Sequence, residues 1–139
     1  MKAIGFNFTK LNVSKTGELK NIENINIETK MDVLDLKEVK ANLLNTKEEV
    51  IGVDFEYIVD YKPEFAKVNI NGKVLLTLEP KMAKEVIKGW KDKNLPEDFR
   101  IFLFNIILRK STLKALQLEE ELNLPLHVPM PSFKKETKN

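Results

Sequence analysis

Val50-Ile51-Gly52-Val53-Asp54-Phe55-Glu56-Tyr57-Ile58-Val59-Asp60-Tyr61 alternates with a period of two. Ile51, Val53, Phe55, Tyr57, Val59 and Tyr61 share one face; Gly52, Asp54, Glu56 and Asp60 share the other. A β-strand places residues i, i+2 and i+4 on one side, so this is a strand with one apolar and one wet face. Lys62-Pro63-Glu64 ends it in a tight connection, because proline presets φ and donates no ladder hydrogen bond. Beyond it, Val68, Ile70, Val74, Leu76 and Leu78 hold one even-numbered phase across Asn71-Gly72. An Asn-Gly pair between apolar runs is ordinarily a hairpin signal. The unbroken phase favours one long strand instead, bent or bulged at Gly72.

Towards the N-terminus, Ile4, Phe6 and Phe8 alternate with Gly5 and Asn7, then the apolar phase slips to Leu11 and Val13. Such a slip turns side chains to the other face of a sheet unless a β-bulge absorbs it. Ser14-Lys15-Thr16-Gly17 opens a turn or loop. Ile25, Ile27, Met31 and Val33 next alternate with Asn24, Asn26, Glu28, Lys30 and Asp32, a further half-wet strand.

Towards the C-terminus the period changes. Pro80 suits the first position of a helix, where no backbone N–H is needed. Met82, Ala83, Val86, Ile87 and Trp90 form a stripe at helical spacing, weakened at its end by Gly89. Pro96 opens a second helix, with Glu97 and Asp98 near its positive terminus. Nothing breaks the pattern until about Leu122, roughly 39 Å further on at 1.5 Å per residue. The prolines of Leu124-Pro125-Leu126-His127-Val128-Pro129-Met130-Pro131 favour an extended path after it. Strands first and helices last make this an α+β domain without internal repeats.

A chain of 139 residues supports one core and not two. Its 23 basic and 21 acidic residues are scattered, so it lacks the concentrated positive field that nucleic acids require. Lys134-Lys135-Glu136-Thr137-Lys138 reads as a frayed terminus, which predicts one domain over 1–133 and a tail over 134–139. The absence of cysteine removes disulfide and thiolate chemistry. The start Met1-Lys2-Ala3-Ile4-Gly5-Phe6 lacks the apolar core and cleavage site of a signal peptide. The densest apolar run, Phe99 to Leu108, is shorter than the ~20 residues that span a bilayer. A cytoplasmic chain without membrane insertion is expected.

Phe99, Ile101, Phe102, Leu103, Phe104, Ile106, Ile107 and Leu108 cover nearly every direction around the second helix. A helix lying on one sheet buries only a stripe, and each large apolar side chain left in water forgoes about 1.5–3 kcal/mol. Cover from a second copy is therefore predicted, with Phe99, Phe102, Leu103, Ile106 and Ile107 as the interface and closed symmetry as the simplest assembly. The alternative is that Leu124, Leu126, Val128, Met130 and Phe133 fold back over that side.

Residues that carry chemistry are sparse. His127, the one histidine, reads as a surface or packing residue. Glu119, Glu120 and Glu121 point in three directions on a helix and read as a solvated face, not a metal site. Asp54, Glu56 and Asp60 share a strand face, which reads as wet sheet surface rather than paired catalytic carboxylates. The five glycines are too dispersed for a phosphate loop, and Ser14, Ser111 and Ser132 lack a nucleophile-elbow context. No catalytic residue, metal or cofactor is expected, and the chain does not read as an enzyme.

The run Glu49 to Tyr57, followed by Phe65-Ala66-Lys67-Val68-Asn69-Ile70-Asn71-Gly72-Lys73-Val74-Leu75-Leu76-Thr77-Leu78, resembles the two central strands of the SecB export-chaperone family. Gly72 stands where the family's second strand is interrupted by glycine. Leu126-His127-Val128-Pro129-Met130-Pro131-Ser132-Phe133 resembles the family's closing segment, with Ser132 in place of an asparagine and the prolines offset. The pattern is most similar to SecB-like proteins of archaeal type. The resemblance implies a four-stranded antiparallel sheet packed by two helices, a dimer of dimers, and an ATP-independent holdase that takes non-native polypeptides into apolar grooves. Its clients would belong to protein export or be a dedicated antitoxin-type protein. The expected client-contacting set is Phe6, Phe8, Leu11, Leu19, Ile22, Ile25, Ile27, Leu126, Val128, Met130 and Phe133.

Two other readings compete. A small-ligand-binding or enzymatic α+β domain predicts an enclosed pocket with convergent polar groups, whereas a holdase predicts open grooves. A purely structural oligomer predicts no apolar groove after assembly.

Overall fold

Backbone pairing in the computed structural model, which describes residues 1–16, 24–40 and 48–135, builds one antiparallel sheet from four long strands. They are β1 (Lys2–Lys15), β2 (Asn26–Val39), β3 (Glu49–Lys62) and β4 (Ala66–Leu78), in the spatial order β1-β4-β3-β2. Helices α1 (Pro80–Lys91) and α2 (Glu97–Glu121) follow. α1 packs on β2 and β3, and α2 packs on β3 and β4. Both lie on the face that carries Ile51, Val53, Phe55, Tyr57, Val59 and Tyr61, each at most 1% exposed.

Bulges keep the apolar side chains on that face. In β1, Phe6 pairs with Val74 and Phe8 with Gly72; Thr9 is then skipped, and Leu11 and Val13 pair with Ile70 and Val68. The extra residue absorbs the phase slip, so all four side chains share a side. In β2 the same device sits at Leu34, after which Leu36 pairs with Val53 and is buried. The strand therefore continues past Val33, where simple alternation stops, to Val39. β4 runs unbroken through Gly72, as its phase predicts, and the bulge lies in its partner β1.

Helix ends follow from backbone satisfaction. Pro80 opens α1, and Pro96 occupies the position just before α2. Both helices close the same way. Lys93 and Asn123 adopt positive φ, while Asn94 N–H donates to the Gly89 carbonyl at 2.7 Å and Leu124 N–H to the Glu119 carbonyl at 2.8 Å. This is the Schellman arrangement. At Gly89 a Cβ would sit 2.5 Å from the Asn94 carbonyl oxygen, so the returning chain requires glycine there.

The buried positions of α2 are Phe99, Leu103, Ile107, Ser111, Ala115 and Glu119, each four residues after the last. Four residues overshoot one turn by about 40°, so the contact line winds about 200° around the helix over its length. This corrects the interface expected from the apolar girdle. Phe99, Leu103 and Ile107 are 0% exposed and belong to the chain's own core. Phe102 and Ile106 are half-buried against it. Ile101, Leu108 and Leu113 remain in solvent, at 50%, 46% and 58% exposed. The C-terminal segment covers part of the remainder. Leu124 is buried, but Leu126, Met130 and Phe133 are exposed.

Ser111 interrupts the buried line with a hydroxyl that has no hydrogen-bond partner among the described residues. An unpaired buried hydroxyl is destabilising, and alanine is the better helix former. Ser111→Ala is expected to raise stability by about 1 kcal/mol in urea unfolding, and a loss of stability would show that the hydroxyl is satisfied.

Candidate functional site

The C-terminal half of α2 and the segment after it form the walls of an open groove. Leu113, Leu116, Gln117 and Glu120 line it from the helix, with Leu126 and Met130 from the segment beyond. Its volume is about 710 Å³. Leu113 also belongs to a shallower hollow with Leu108, Arg109 and Thr112, so apolar surface continues along α2 from Leu108 to Met130. A third hollow, of about 270 Å³, lies beside edge strand β2, where Met31, Val33, Trp90 and Phe104 meet Lys93 and Arg100.

The expected client-contacting residues fall in three places. Phe6, Phe8 and Leu11 lie on edge strand β1. Phe6 packs on Phe55 with ring centroids 5.4 Å apart, and the ammonium groups of Lys110 and Lys114 lie 5.8 Å over Phe6 and Phe8. Leu11 is 44% exposed. Ile25 and Ile27 sit half-buried at the opposite edge of the sheet. Leu126 and Met130 enter the groove, Val128 is half-buried and Phe133 stands free in solvent. Leu19 and Ile22 lie outside the described residues. The groove thus gathers two of the expected residues and adds Leu113 and Leu116.

Behind the groove is a buried polar cluster. Glu119 and His127 have side chains 0% and 1% exposed. Glu119 Oε1 accepts from the backbone N–H of His127 at 2.8 Å and lies 2.8 Å from the ring Nδ1. Its Oε2 is 2.7 Å from the same Nδ1 but receives no well-aligned hydrogen. The far ring nitrogen, Nε2, is 2.7 Å from Tyr57 Oη, which also lies 3.3 Å from Thr112 Oγ1. Tyr61 Oη donates to the Pro125 carbonyl at 2.5 Å. One reading is corrected here: Glu119 is core rather than solvated face. Of the two options left for His127, surface or packing, the side chain takes the second, buried and hydrogen-bonded. The four-residue register through Ile107, Ser111 and Ala115 singles out Glu119 as the inward member of its trio.

Burial, followed by the nearby Glu119 charge, pushes the Tyr61 hydroxyl well above the ordinary tyrosine range. Burial also pushes Tyr57 up, against a lowering hydrogen bond to Thr112. These are both tyrosines of the chain. A raised folded-state value means that the native protein holds a proton which the unfolded chain releases near pH 10. The resulting stability is complete below about pH 10 and is lost as pH rises through the folded values. Tyrosinate absorbance is therefore expected to stay flat past about pH 10 and to appear only with unfolding. Smooth titration of the folded protein near that pH would contradict the burial.

The other face of the sheet is polar. Lys62 pairs with Glu28 at 2.8 Å, Lys73 with Asp54 at 3.7 Å and Lys37 with Asp35 at 3.2 Å. Asp54, Glu56 and Asp60 stand on this wet surface. No helix among the described residues is long and apolar enough to cross a membrane.

No protein-family model matches the chain, and no curated protein matches it in sequence. Its fold is similar to that of the Mycobacterium tuberculosis SecB-like chaperone Rv1957, solved in complex with a ChAD peptide from the Rv1956 HigA1 antitoxin. The TM-score is 0.50 at 10% identity, over 98% of this chain and 92% of that one. The fold is therefore α+β and SecB-like, with a four-stranded antiparallel sheet and two helices.

Proposed function

We propose that this protein is an ATP-independent holdase that binds non-native polypeptides on the apolar surface running along α2 to the closing segment. The observation that carries this is an open groove, walled by Leu113, Leu116, Leu126 and Met130, on a SecB-like fold. Exposed apolar side chains each gain about 1.5–3 kcal/mol on being covered, and an unfolded segment supplies that cover. Adaptable leucine and methionine contacts suit many sequences rather than one.

An enzymatic reading lacks support in the same geometry. The convergent polar groups, Glu119, His127 and Tyr57, are at most 1% exposed, so a substrate has no access to them in this conformation. The open groove is lined mainly by apolar side chains.

The finer proposals rest on the sequence resemblance. The chain is grouped with SecB-like proteins of archaeal type, acts in the cytoplasm and assembles as a dimer of dimers. Ile101 and Leu108, seven residues apart on one helix face, replace Phe99, Leu103 and Ile107 as the proposed contact, flanked by Phe102 and Ile106. The antitoxin peptide held by the mycobacterial chaperone makes an antitoxin-type client the first to test, and an export client the second.

The test is aggregation of a chemically denatured protein after dilution, with and without this protein and without nucleotide. Suppression at a stoichiometric excess is expected, and undiminished aggregation would overturn the reading. Sedimentation separately tests the assembly: a clean monomer at micromolar concentration would overturn the dimer of dimers.

A further inference from the structure

One wall of the groove belongs to a segment with little structure of its own. Pro125, Pro129 and Pro131 exclude helix and strand there, and residues 127 and 128 form only a bend. After the α2 cap, the segment's hydrogen bonds to the body, among the described residues, involve only Pro125 and His127. From Pro129 to Lys135 every residue is exposed. Leu126 therefore lies between two anchors, the Pro125 carbonyl held by Tyr61 and His127, while Met130 lies beyond His127, the last anchor of the segment.

We propose that His127 is a positioning residue for the groove: Glu119 and Tyr57 grip its backbone and ring, and that grip holds Leu126 and Met130 opposite Leu113 and Leu116. Two donors of one residue, the backbone N–H and Nδ1–H, converge on one carboxylate, which fixes the rotation of the ring as well as the path of the chain. Tyr57 Oη meets Nε2 from the strand side, so the imidazole is clamped between α2 and β3. A carboxylate at a position 0% exposed carries a desolvation cost that an apolar residue would not. Its partners here are what define the position of the segment.

The role assigned to the groove rests on the holdase reading; the clamp itself does not. Two measurements separate them. Hydrogen exchange follows the segment through the His127 amide, its one hydrogen-bonded backbone N–H among the described residues, with β3 and β4 amides as the folding control. Fluorescence titration with reduced, carboxymethylated α-lactalbumin, a permanently unfolded chain, follows groove affinity.

In His127→Ala, segment exchange is expected to accelerate and affinity to fall, each at least about tenfold, as befits lost hydrogen bonds to a charged group. His127→Asn, which keeps a side-chain N–H for Glu119, is expected to recover most of both. Met130→Ala is expected to weaken binding while leaving exchange at the wild-type rate. The only histidine also gives an unambiguous nitrogen resonance, and a protonated Nδ1 is expected. Wild-type segment exchange in His127→Ala, or a bare Nδ1, would overturn the clamp. A freed segment with unchanged affinity would overturn its positioning role while leaving the holdase reading intact. A wild-type protein that binds no unfolded chain would overturn the holdase reading and the positioning role together, with exchange still deciding the clamp.

Discussion

Gly72→Ala is expected to cost about 3 kcal/mol of stability, at the upper end of what overpacking a core by one methyl produces. A Cβ at this position would lie 2.5 and 2.6 Å from ring carbons of Phe55 and 2.8 Å from the Asn7 carbonyl oxygen. Neither neighbour has room to move. Phe55 is 0% exposed beneath the helices and packs on Phe6, while the Asn7 oxygen belongs to the backbone of the paired strand. The ring of Phe55 lies across the glycine from the adjacent strand, and β1 bulges at Thr9 immediately beside the Phe8–Gly72 pair. The expected observation is a lower denaturant midpoint with an unchanged slope. Because the clash is mainly with the aromatic ring, Phe55→Leu is expected to cost less in the Gly72→Ala background than alone. Additive losses would place the cause elsewhere.

The second large effect concerns binding. Leu113 and Leu126 are 58% and 40% exposed and face the same groove, so replacing both with aspartate leaves the core untouched. Surface changes of this kind usually alter stability by no more than about 0.5 kcal/mol. Covering these two half-exposed leucines contributes about 1.5–3 kcal/mol in all, so the double variant is expected to lose at least about tenfold in affinity for unfolded chains. Lys67→Asp, on the polar face of the sheet, is expected to leave affinity unchanged. Retained affinity in the double variant, in a protein that still suppresses aggregation, would move the client site away from α2.

Much of this architecture is legible in the chain because the informative signals are local. The alternation from Val50 to Tyr61 marks the central strand, and the even phase across Gly72 favours one long strand over a hairpin there. The slip from Phe8 to Leu11 marks a bulge, and Pro80 and Pro96 mark two helix starts. The order of the strands is a long-range property, and only the family resemblance pointed to a four-stranded antiparallel sheet.

The apolar girdle of α2 was misleading about which of its residues lack cover within the chain. Read as a straight helix on a flat surface, it demands a partner against Phe99, Leu103 and Ile107. The contact line instead winds around the helix, and one chain buries a set of residues that a straight stripe would leave out. For the same reason Glu119 looks like part of an acidic solvated patch until its four-residue register from Ile107 is followed. The partnership of Glu119 with His127 across a Schellman turn, and with Tyr57 from a distant strand, has no sequence signal of its own.

The claim on which the functional account depends is that unfolded polypeptide lies along α2 between Leu113 and Met130. Site-specific photo-crosslinking tests it directly, with a photoreactive side chain at position 113 or 130 and, as a control, at Lys67. Crosslinks from 113 and 130 to reduced, carboxymethylated α-lactalbumin are expected, with none from 67 and none to the native, disulfide-intact form of the same protein. Crosslinking from 67 alone, or equal crosslinking to folded and unfolded forms, would contradict the account.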